Sequence, residues 1–315
     1  MFQTPLHAAP FDPEDLHGLR ARIDAETDGG YAAFRRTLTP DYRRVRRDIA
    51  LGYAALAAAV AATGMIGFWA IPAGALTIGF FIAYLQLFIH EAAHFGLAAD
   101  RAANDRFANR LICWQVGTDI ASYRDTHWQH HRALGGPDDS EVSYRNRLSL
   151  GFVAAMLSGV HAVRVFLSRS VDAAQASEEK KKRSPLIIGM TAHLSLLVLL
   201  VAVGWWPAAI AWGAGMAVCF PFFATMRQLL EHRPAGESGA RAISRLFGDG
   251  LFSRLFGGAG FNRHMLHHLE PQTPYTRLAE LETFLMATSA RAELDARRSS
   301  YARAFRDLVR NDRRG

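Results

Sequence analysis

The amino-acid sequence predicts an all-α integral membrane protein, with four transmembrane helices in two hairpins and a cytoplasmic helical cap. Of its 315 residues, 50% are hydrophobic, yet the formal net charge is +7. Apolar and basic regions must therefore be separated along the chain. Two segments, 49–90 and 184–226, contain no Asp, Glu, Lys or Arg. Each is about twice the ~20 apolar residues that cross a bilayer as one helix.

Each charge-free segment contains a helix-breaking sequence near its middle. The letters PAG at 72–74 interrupt the first segment, and GWWP at 204–207 interrupts the second. Proline and glycine end a helix or turn the chain, so each segment is expected to cross the membrane twice. Buried helices of a large soluble protein are the alternative, which two uncharged runs of this length disfavour. The expected spans are 49–70, 73–90, 185–204 and 207–227.

Three regions follow one another along the chain: a polar cytoplasmic segment (1–47), a membrane domain (48–285) and a charged C-terminal helical tail (286–315), which we expect to be exposed. Inside the membrane domain, residues 148–168 read LSLGFVAAMLSGVHAVRVFLS. Arg164 lies inside this apolar stretch and further basic residues flank it. This pattern is typical of an interfacial helix that lies on the membrane, so a fifth crossing is not predicted.

The positions of lysine and arginine predict the orientation in the membrane. Arginines at 35, 36, 43, 44, 46 and 47 precede the first span, and the central loop ends in the basic run 180–183, whereas the turns within the two span pairs have none. The positive-inside rule then places both termini and the central loop in the cytoplasm, with the protein in the inner cell membrane. These charges flank the spans and do not alternate with exposed aromatic residues, so nucleic acid is not an expected partner.

Nine of the 13 histidines fall into four short clusters beside the spans. HEAAH (90–94) ends span 2, HWQHH (127–131) lies in the central loop, EHR (231–233) follows span 4, and HMLHH (264–268) lies beyond it. On a helix, positions i, i+3 and i+4 project from one face. Neutral imidazole binds iron, zinc and copper, and nine imidazoles exceed the ligands that one ion takes. The clusters therefore predict two metal ions on the cytoplasmic side.

Other readings of the histidines are also open. HEAAH matches the H-E-x-x-H pattern of zinc proteases, with His90 and His94 as ligands and Glu91 as general base. Such an intramembrane protease would leave two complete H-x-x-H-H sequences unexplained. A histidine-rich transporter or metal sensor without catalytic activity is a further alternative. His193 lies inside span 3, where a helix-packing role is preferred to a place on a substrate pathway.

Together, HEAAH, HWQHH and HMLHHLEP with the paired spans resemble the membrane fatty acid desaturase superfamily, which also includes hydroxylases and carotenoid ketolases. The resemblance covers about residues 45–285 and implies two non-haem irons at the cytoplasmic face, so that the cap holds the metal site. The implied iron ligands are His90, His94, His127, His130, His131, His232, His264, His267 and His268. Polar residues near these clusters are candidates to orient the ligands: Glu91, Asp125, Asp138, Gln228 and Glu231.

Gln228 marks a departure from the family pattern. Stearoyl-CoA desaturases have an asparagine at this place, one helical turn before the extra histidine, and it acts on the metal through water. This chain has Gln228 there and Glu231 directly before His232. Which of the two side chains takes that role stays open.

The resemblance implies an oxidoreductase that uses O2 and an external reductant to act on a C–H bond of a long-chain lipid. HEAAH has three residues between its histidines, as in acyl-lipid desaturases, hydroxylases and ketolases, and not four as in acyl-CoA desaturases. A fatty acyl desaturase of the acyl-lipid type is therefore preferred, with hydroxylation or ketolation of a lipid or carotenoid as the alternative. The chain has no H-P-G-G haem-binding segment, so the expected partners include a separate electron carrier of the ferredoxin, rubredoxin or cytochrome-b5 type and its reductase.

Overall fold

The computed structural model describes residues 13–141, 143–165, 184–233 and 244–313, which are almost entirely helical. The first eight helices are α1 (Pro13–Glu26), α2 (Gly30–Thr37), α3 (Tyr42–Ile66), α4 (Ile71–Ala93), α5 (Arg101–Leu111), α6 (Ile120–Ala133), α7 (Leu150–Leu157) and α8, described over 160–165. The others are α9 (Ser184–Ala202), α10 (Trp206–Ala214), α11 (Phe220–His232), α12 (Leu251–Phe256), α13 (His264–Leu269), α14 (Leu278–Leu285), α15 (Arg291–Ala296) and α16 (Tyr301–Arg313). Two short strands, β1 (Leu246–Phe247) and β2 (Arg298–Ser299), pair in parallel. The all-α prediction is confirmed.

The chain forms two compact units. The membrane unit comprises Val45–Tyr123 and Leu148–Met226, and the histidine unit comprises Met1–Arg44, Arg124–Arg147 and Arg227–Gly315. HEAAH belongs to the membrane unit, whereas HWQHH, His232 and HMLHH belong to the histidine unit. Each unit is therefore described by itself.

Among the described residues, four helical segments are long and apolar enough to cross a membrane: Tyr42–Ile66, Phe68–Ala93, Ser184–Ala202 and Trp206–His232. The predicted number of spans is confirmed. The first segment begins at Tyr42, before the expected start at residue 49. Val45 and Ile49 are buried, so the apolar face of the helix extends back between the arginines that precede residue 49. The fourth segment extends to His232 and contains a π-helical turn, Gly215–Cys219, between α10 and α11.

Helices α3 and α4 run antiparallel and approach each other at two glycines. A Cβ atom at Gly52 would lie 2.9 Å from Leu85 Cδ2, and one at Gly74 would lie 2.2 Å from Thr63 Oγ1. The contacts at the two ends of the pair therefore join the start of one helix to the end of the other. Glycine at these positions leaves room for the facing side chains, as small residues commonly do between helices in membranes.

Helix α9 presents an apolar surface that its protein neighbours leave uncovered. Only 11% of its most apolar 18-residue window is buried, and Ile187, Leu194 and Val198 are each about 60% exposed. Exposing this much apolar surface to water is unfavourable, at roughly 25 cal/mol per Å². Contact with lipid removes that cost, which agrees with the prediction that this segment spans the membrane.

The stretch expected to form one interfacial helix over 148–168 contains two helical segments. Helix α7 begins after Ser149, whose Oγ accepts a hydrogen bond from the Phe152 N–H at 3.1 Å. It ends before Gly159, which has φ +75° and separates α7 from α8. A left-handed residue at this position ends a helix and turns the chain. Residues 166–168 lie outside the described part of the chain.

The C-terminal region differs from the exposed tail that its charge led us to expect. Within α16, Tyr301, Ala304 and Leu308 are 3%, 1% and 4% exposed. Their spacing of three and four residues places them on one helical face. Strand β2, just before α16, pairs with β1 of the same unit. A narrow apolar stripe in a highly charged segment is thus enough to hold this helix against the histidine unit.

Candidate metal centre

Helix α6 holds the three histidines of HWQHH inside the histidine unit. His127 and His130 are each 1% exposed, and His131 is 9% exposed. His127 and His131 are one helical turn apart, and their Nε2 atoms lie 3.0 Å from each other. The helix therefore presents a row of buried imidazoles, as its spacing predicts.

Helix α13 supplies three more buried histidines. His264, His267 and His268 are 2%, 4% and 6% exposed. Arg263, just before the helix, donates to Glu282 Oε2 at 2.7 Å and to Asp249 Oδ2 at 2.6 Å. These two ion pairs hold the entry to α13 in place and so set the direction of its histidines.

The histidines of this unit form two groups. In the first group, the side-chain nitrogens of His130, His232, His264 and His268 lie within 4.8 Å of one another. His264 Nε2 lies 2.8 Å from His232 Nε2 and 3.1 Å from His268 Nε2. His232 is the last residue of α11 and is 2% exposed.

In the second group, nitrogens of His127, His131 and His267 also lie within 4.8 Å of one another. His131 Nε2 lies 2.9 Å from His267 Nε2. The H-x-x-H-H sequences on α6 and α13 therefore each contribute to both groups.

The seven imidazoles fit transition-metal ions. The closest pairs of Nε2 atoms are 2.8–3.1 Å apart. Two nitrogens that share one ion at a metal–nitrogen distance of about 2.1 Å and at right angles lie about 3 Å apart. Nitrogen donors suit iron, zinc, copper and nickel, whereas magnesium and calcium take oxygen ligands. Two adjacent groups of this kind can hold two ions.

Burial keeps the α13 histidines in the form that binds a metal. Burial lowers the pKa of His264 and His268 well below the usual value, and the charges of the neighbouring histidines lower it further. Both imidazoles are therefore neutral near pH 7. Only a neutral imidazole has the lone pair that a metal ion needs.

A buried carboxylate orients His130. Asp139 Oδ1 accepts a hydrogen bond from His130 Nδ1 at 2.7 Å, and both side chains are at most 1% exposed. Burial raises the pKa of Asp139, but the hydrogen bond and charge of His130 and the hydrogen bond from Tyr144 outweigh it, so the pKa lies below its usual value. The ionised carboxylate fixes the proton on Nδ1. Nε2 then carries the lone pair that a metal ion would take.

A second carboxylate lies beside His127. Glu141 Oε1 is 3.7 Å from His127 Nδ1, and Glu141 Oε2 accepts a hydrogen bond from Gln228 Nε2 at 2.8 Å. Gln228, a candidate from the sequence, therefore acts on a carboxylate next to a histidine. The loop that follows HWQHH brings both Asp139 and Glu141 back to helix α6.

Asp139 and Glu141 are site residues that the sequence pattern did not indicate. The predicted candidates Asp125 and Asp138 are both exposed, while Asp139, the next residue after Asp138, is buried. The signal was the acidic segment DDSE at 138–141, directly after the histidine cluster. Its spacing from the histidines shows that a carboxylate is near, but does not show which one faces them.

Glu231, directly before His232, is 1% exposed. Its Oε1 atom accepts a hydrogen bond from Tyr301 Oη at 3.3 Å, and the charge of Arg227, one helical turn earlier, attracts it. Burying a carboxylate is costly unless it is paired and hydrogen-bonded. Glu231 thus links the end of α11 to α16.

In the membrane unit, the two histidines of HEAAH lie together at the end of α4. The ring centroids of His90 and His94 are 5.2 Å apart, and His90 is 4% exposed. Glu91 is 3% exposed and lies against Gly96, where an added Cβ atom would be 2.1 Å from Glu91 Oε1. The i, i+4 spacing therefore places the two imidazoles on one side of the helix end.

His193 has protein partners at both ring nitrogens. Its Nε2 atom lies 2.9 Å from the Gln115 carbonyl oxygen, and Trp212 Nε1 donates to its Nδ1 at 3.1 Å. A neutral imidazole with the proton on Nε2 satisfies both hydrogen bonds. His193 therefore joins α9 to α10 and to the turn at Cys113–Val116, which is the packing role expected from the sequence.

Comparison with known proteins identifies the class. Residues 67–298, well over half of the chain, match the family model described as fatty acid desaturase, and the chain belongs to that family. The superfamily resemblance seen in the sequence is thereby confirmed, and the protein is a membrane oxidoreductase with a histidine-rich site.

One relative among curated proteins is the dihydrorhizobitoxine desaturase of Bradyrhizobium elkanii. It is 24% identical to this chain over 275 residues, which cover 79% of this chain and 77% of the relative. The likeness extends over most of both proteins.

Proposed function

We propose that this protein is an O2-dependent di-iron desaturase that introduces a double bond into a long-chain lipid, with a fatty acyl chain as the favoured substrate. The observation that supports this proposal is the pair of buried histidine groups, whose Nε2 atoms face one another at 2.8–3.1 Å. Family membership supports desaturation as the reaction.

The ligand sets of the proposed irons follow from the groups. His130, His232, His264 and His268 would hold one iron. His127, His131 and His267 would hold the other, and His90 and His94 are the further ligands that the family resemblance implies. Zinc has no redox chemistry, so iron is the metal that suits an oxidoreductase with these ligands.

The irons would supply the redox chemistry that cleaves an unactivated C–H bond, which acid–base groups of a protein cannot do. In the overall reaction the substrate loses two hydrogen atoms. These, with two electrons and two protons, convert O2 into two water molecules. The reductant thus supplies two electrons for each double bond.

The contribution of the chain itself is to hold the ligands. Asp139 keeps a proton on His130 Nδ1 and leaves Nε2 for the metal. Glu141 takes the corresponding place beside His127 and is itself held by Gln228. Burial of all seven histidines excludes water, and it lowers the pKa of His264 and His268 so that these two stay neutral. These contacts fix the ligands before any substrate binds.

Hydroxylation or ketolation at the same site is the second candidate, because one ligand set serves either outcome. Two observations favour desaturation: the family match and the reaction in the name of the Bradyrhizobium elkanii relative. The relative's substrate, dihydrorhizobitoxine, belongs in the assay panel beside acyl lipids. The three-residue spacing within HEAAH favours the acyl-lipid over the acyl-CoA form of substrate.

The proposed location is the inner cell membrane, with the termini and the histidines on the cytoplasmic side. The arginines that precede α3 support this orientation. The exposed apolar surface of α9 supports contact with lipid. The electrons would come from a separate ferredoxin, rubredoxin or cytochrome-b5-type carrier with its reductase.

The test combines metal analysis with mass spectrometry of lipids from a host that expresses the protein. We expect about two irons per chain and a product that has lost two hydrogens, with O2 and reductant both required. His130→Ala and His267→Ala should abolish the product. His161→Ala is the matched control, since His161 is also buried but lies in neither histidine group.

The competing functions give different results. A product that has gained one oxygen without new unsaturation would show the hydroxylase. A single zinc, with Glu91 essential and the two alanine variants fully active, would indicate the protease instead. Iron-free protein with no oxidised product would exclude the proposal.

A further inference from the structure

The acidic and basic residues of helix α16 lie in different environments, the acidic ones near arginines of the histidine unit and three of the basic ones exposed at the surface. Its acidic residues act on arginines of the histidine unit: Asp312 forms an ion pair with Arg233, and the charge of Asp307 acts on Arg245. Its arginines at 303, 306 and 310 are exposed. Because these arginines are three and four residues apart, they lie on one face of the helix.

This outward face is a basic surface. Within the described parts of the chain, no acidic side chain forms an ion pair with Arg303, Arg306 or Arg310. Helix α5 exposes three arginines, of which Arg106 and Arg110 share one face. There, however, Asp100 lies 4.0 Å from Arg106 and partly offsets the charge. The arginine face of α16 therefore carries one exposed arginine more than the face of α5 that holds Arg106 and Arg110.

The inner face of the same helix reaches the candidate metal centre. Tyr301 is 3% exposed, and its ring stacks on Phe247 with centroids 3.8 Å apart. Its hydroxyl donates to Glu231, the residue directly before the candidate ligand His232. One tyrosine and one carboxylate therefore connect the basic helix with a histidine of the first group.

The exposed face of α16 suits an aqueous partner better than a lipid surface. A helix that lies on a membrane combines basic residues with an exposed apolar face. The apolar residues Tyr301, Ala304 and Leu308 are instead buried in the protein. Phe305, 44% exposed, lies on the opposite side of the helix from the arginines.

We infer that the arginine face of α16 docks an acidic one-electron carrier protein, so that electrons enter next to Tyr301 and His232. The inference rests on the proposed function, which needs two electrons per turnover. Each docked carrier gives up one electron, and two successive carriers supply the two electrons that join the two from the substrate in reducing O2 to water. Repeated encounters favour a small interface guided by charge, because opposite charges speed association.

The test compares two matched pairs of arginines. Arg306→Glu with Arg310→Glu reverses the α16 face, and Arg106→Glu with Arg110→Glu makes the same change on α5. Full-length protein is placed in nanodiscs of zwitterionic lipid and, separately, of anionic lipid. Each preparation is assayed with a plant-type [2Fe–2S] ferredoxin, and in parallel with dithionite and a small mediator. Ferredoxin binding is also measured directly, without turnover.

We expect the α16 pair to raise the KM for ferredoxin at least about tenfold, in the range that charge steering produces. Turnover with dithionite should stay unchanged, and the α5 pair should behave like the wild type. The milder pair Arg306→Gln with Arg310→Gln should give a smaller shift in the same direction. Higher salt should weaken wild-type binding.

Three results would overturn the inference: unchanged ferredoxin binding in the α16 pair, an equal loss in the α5 pair, or a defect that appears only in nanodiscs of anionic lipid. The last would identify the arginine face as a lipid contact. Wild-type protein that binds ferredoxin but shows no oxidation even with dithionite would contradict the proposed reaction and leave the docking surface intact.

Discussion

His130 Nδ1 lies 2.7 Å from Asp139 Oδ1, and both side chains are buried in the histidine unit. Tyr144 Oη and the Gly135 N–H donate to the other carboxylate oxygen of Asp139. The carboxylate is thus held on both sides and in turn holds the imidazole in one orientation. An acidic residue that the sequence pattern passed over therefore determines how a candidate iron ligand is presented.

Replacing Asp139 should weaken the metal centre. Asp139→Asn keeps the size of the side chain but removes its charge, so the proton on His130 Nδ1 is no longer fixed. We expect metal affinity or activity to fall about 10- to 100-fold, measured as iron per chain and as turnover. Asp138→Asn is the control, since Asp138 is exposed. Equal effects of the two substitutions would refute this role for Asp139.

The ion pair between Asp249 and Arg263 should make stability depend on acid pH. The hydrogen bond from Arg263 lowers the pKa of Asp249, and burial only partly opposes this. Because the folded pKa lies below the unfolded value of about 4, the stabilisation is complete above that value and is lost as pH falls through the folded pKa. The wild type should exceed Asp249→Asn in thermal stability at pH 6, and the difference should shrink as the pH falls below the unfolded value of about 4.

The control for this measurement is Asp125→Asn, a change at an exposed carboxylate. It should leave the pH profile of unfolding close to that of the wild type. A stability difference between the wild type and Asp249→Asn that grows as the pH falls would contradict a lowered pKa for Asp249 in the folded protein.

Gly96→Ala should disturb the end of HEAAH. The new methyl group would lie 2.1 Å from Glu91 Oε1, so the buried carboxylate must move. We expect a loss of about 1–3 kcal/mol in stability, measured by thermal unfolding in detergent. Gly213→Ala is the control, because nothing lies within 4 Å of a Cβ atom there. Adding Glu91→Ala to Gly96→Ala should restore part of the loss, and no recovery would argue against this contact.

Tyr301→Phe should destabilise the histidine unit without removing the ring that stacks on Phe247. The change leaves the buried Glu231 carboxylate without the Tyr301 hydroxyl, at a cost of about 1–3 kcal/mol. Tyr301→Ala also removes the buried ring and should cost about 3–5 kcal/mol. Unfolding measured by denaturant or heat distinguishes the two. A harmless Tyr301→Ala would mean that α16 does not pack as described.

Much of the membrane architecture could be predicted from local properties of the chain. The spans follow from charge-free length, because a bilayer requires about 20 apolar residues per helix. The break at 204–207 follows from proline and glycine, whereas the first break falls at Gly67, which has φ +91°, and the predicted residues 72–74 lie inside α4. Within α6 and α13, helical geometry alone brings the histidines of each cluster to one side. None of these inferences needs contacts between distant residues.

Other features depended on the path of the chain between the elements. Residues 148–168 have a continuous apolar composition, yet the left-handed Gly159 divides them into two segments. The charged C-terminal segment was expected to be exposed, yet its Tyr301 and Leu308 side chains are buried in the histidine unit. Composition averages over a segment, whereas a single turn or a three-residue apolar stripe decides where the segment lies.

By itself, then, the sequence determined the class of protein, the number of spans and the nine histidines that carry the proposed metal chemistry. Only the tertiary structure decided that Asp139 rather than Asp138 holds His130, that Glu141 and Gln228 support His127, and that Tyr301 reaches Glu231. The physical reason is that spacing along one helix determines direction, whereas contacts between a loop and a helix depend on how the whole chain packs.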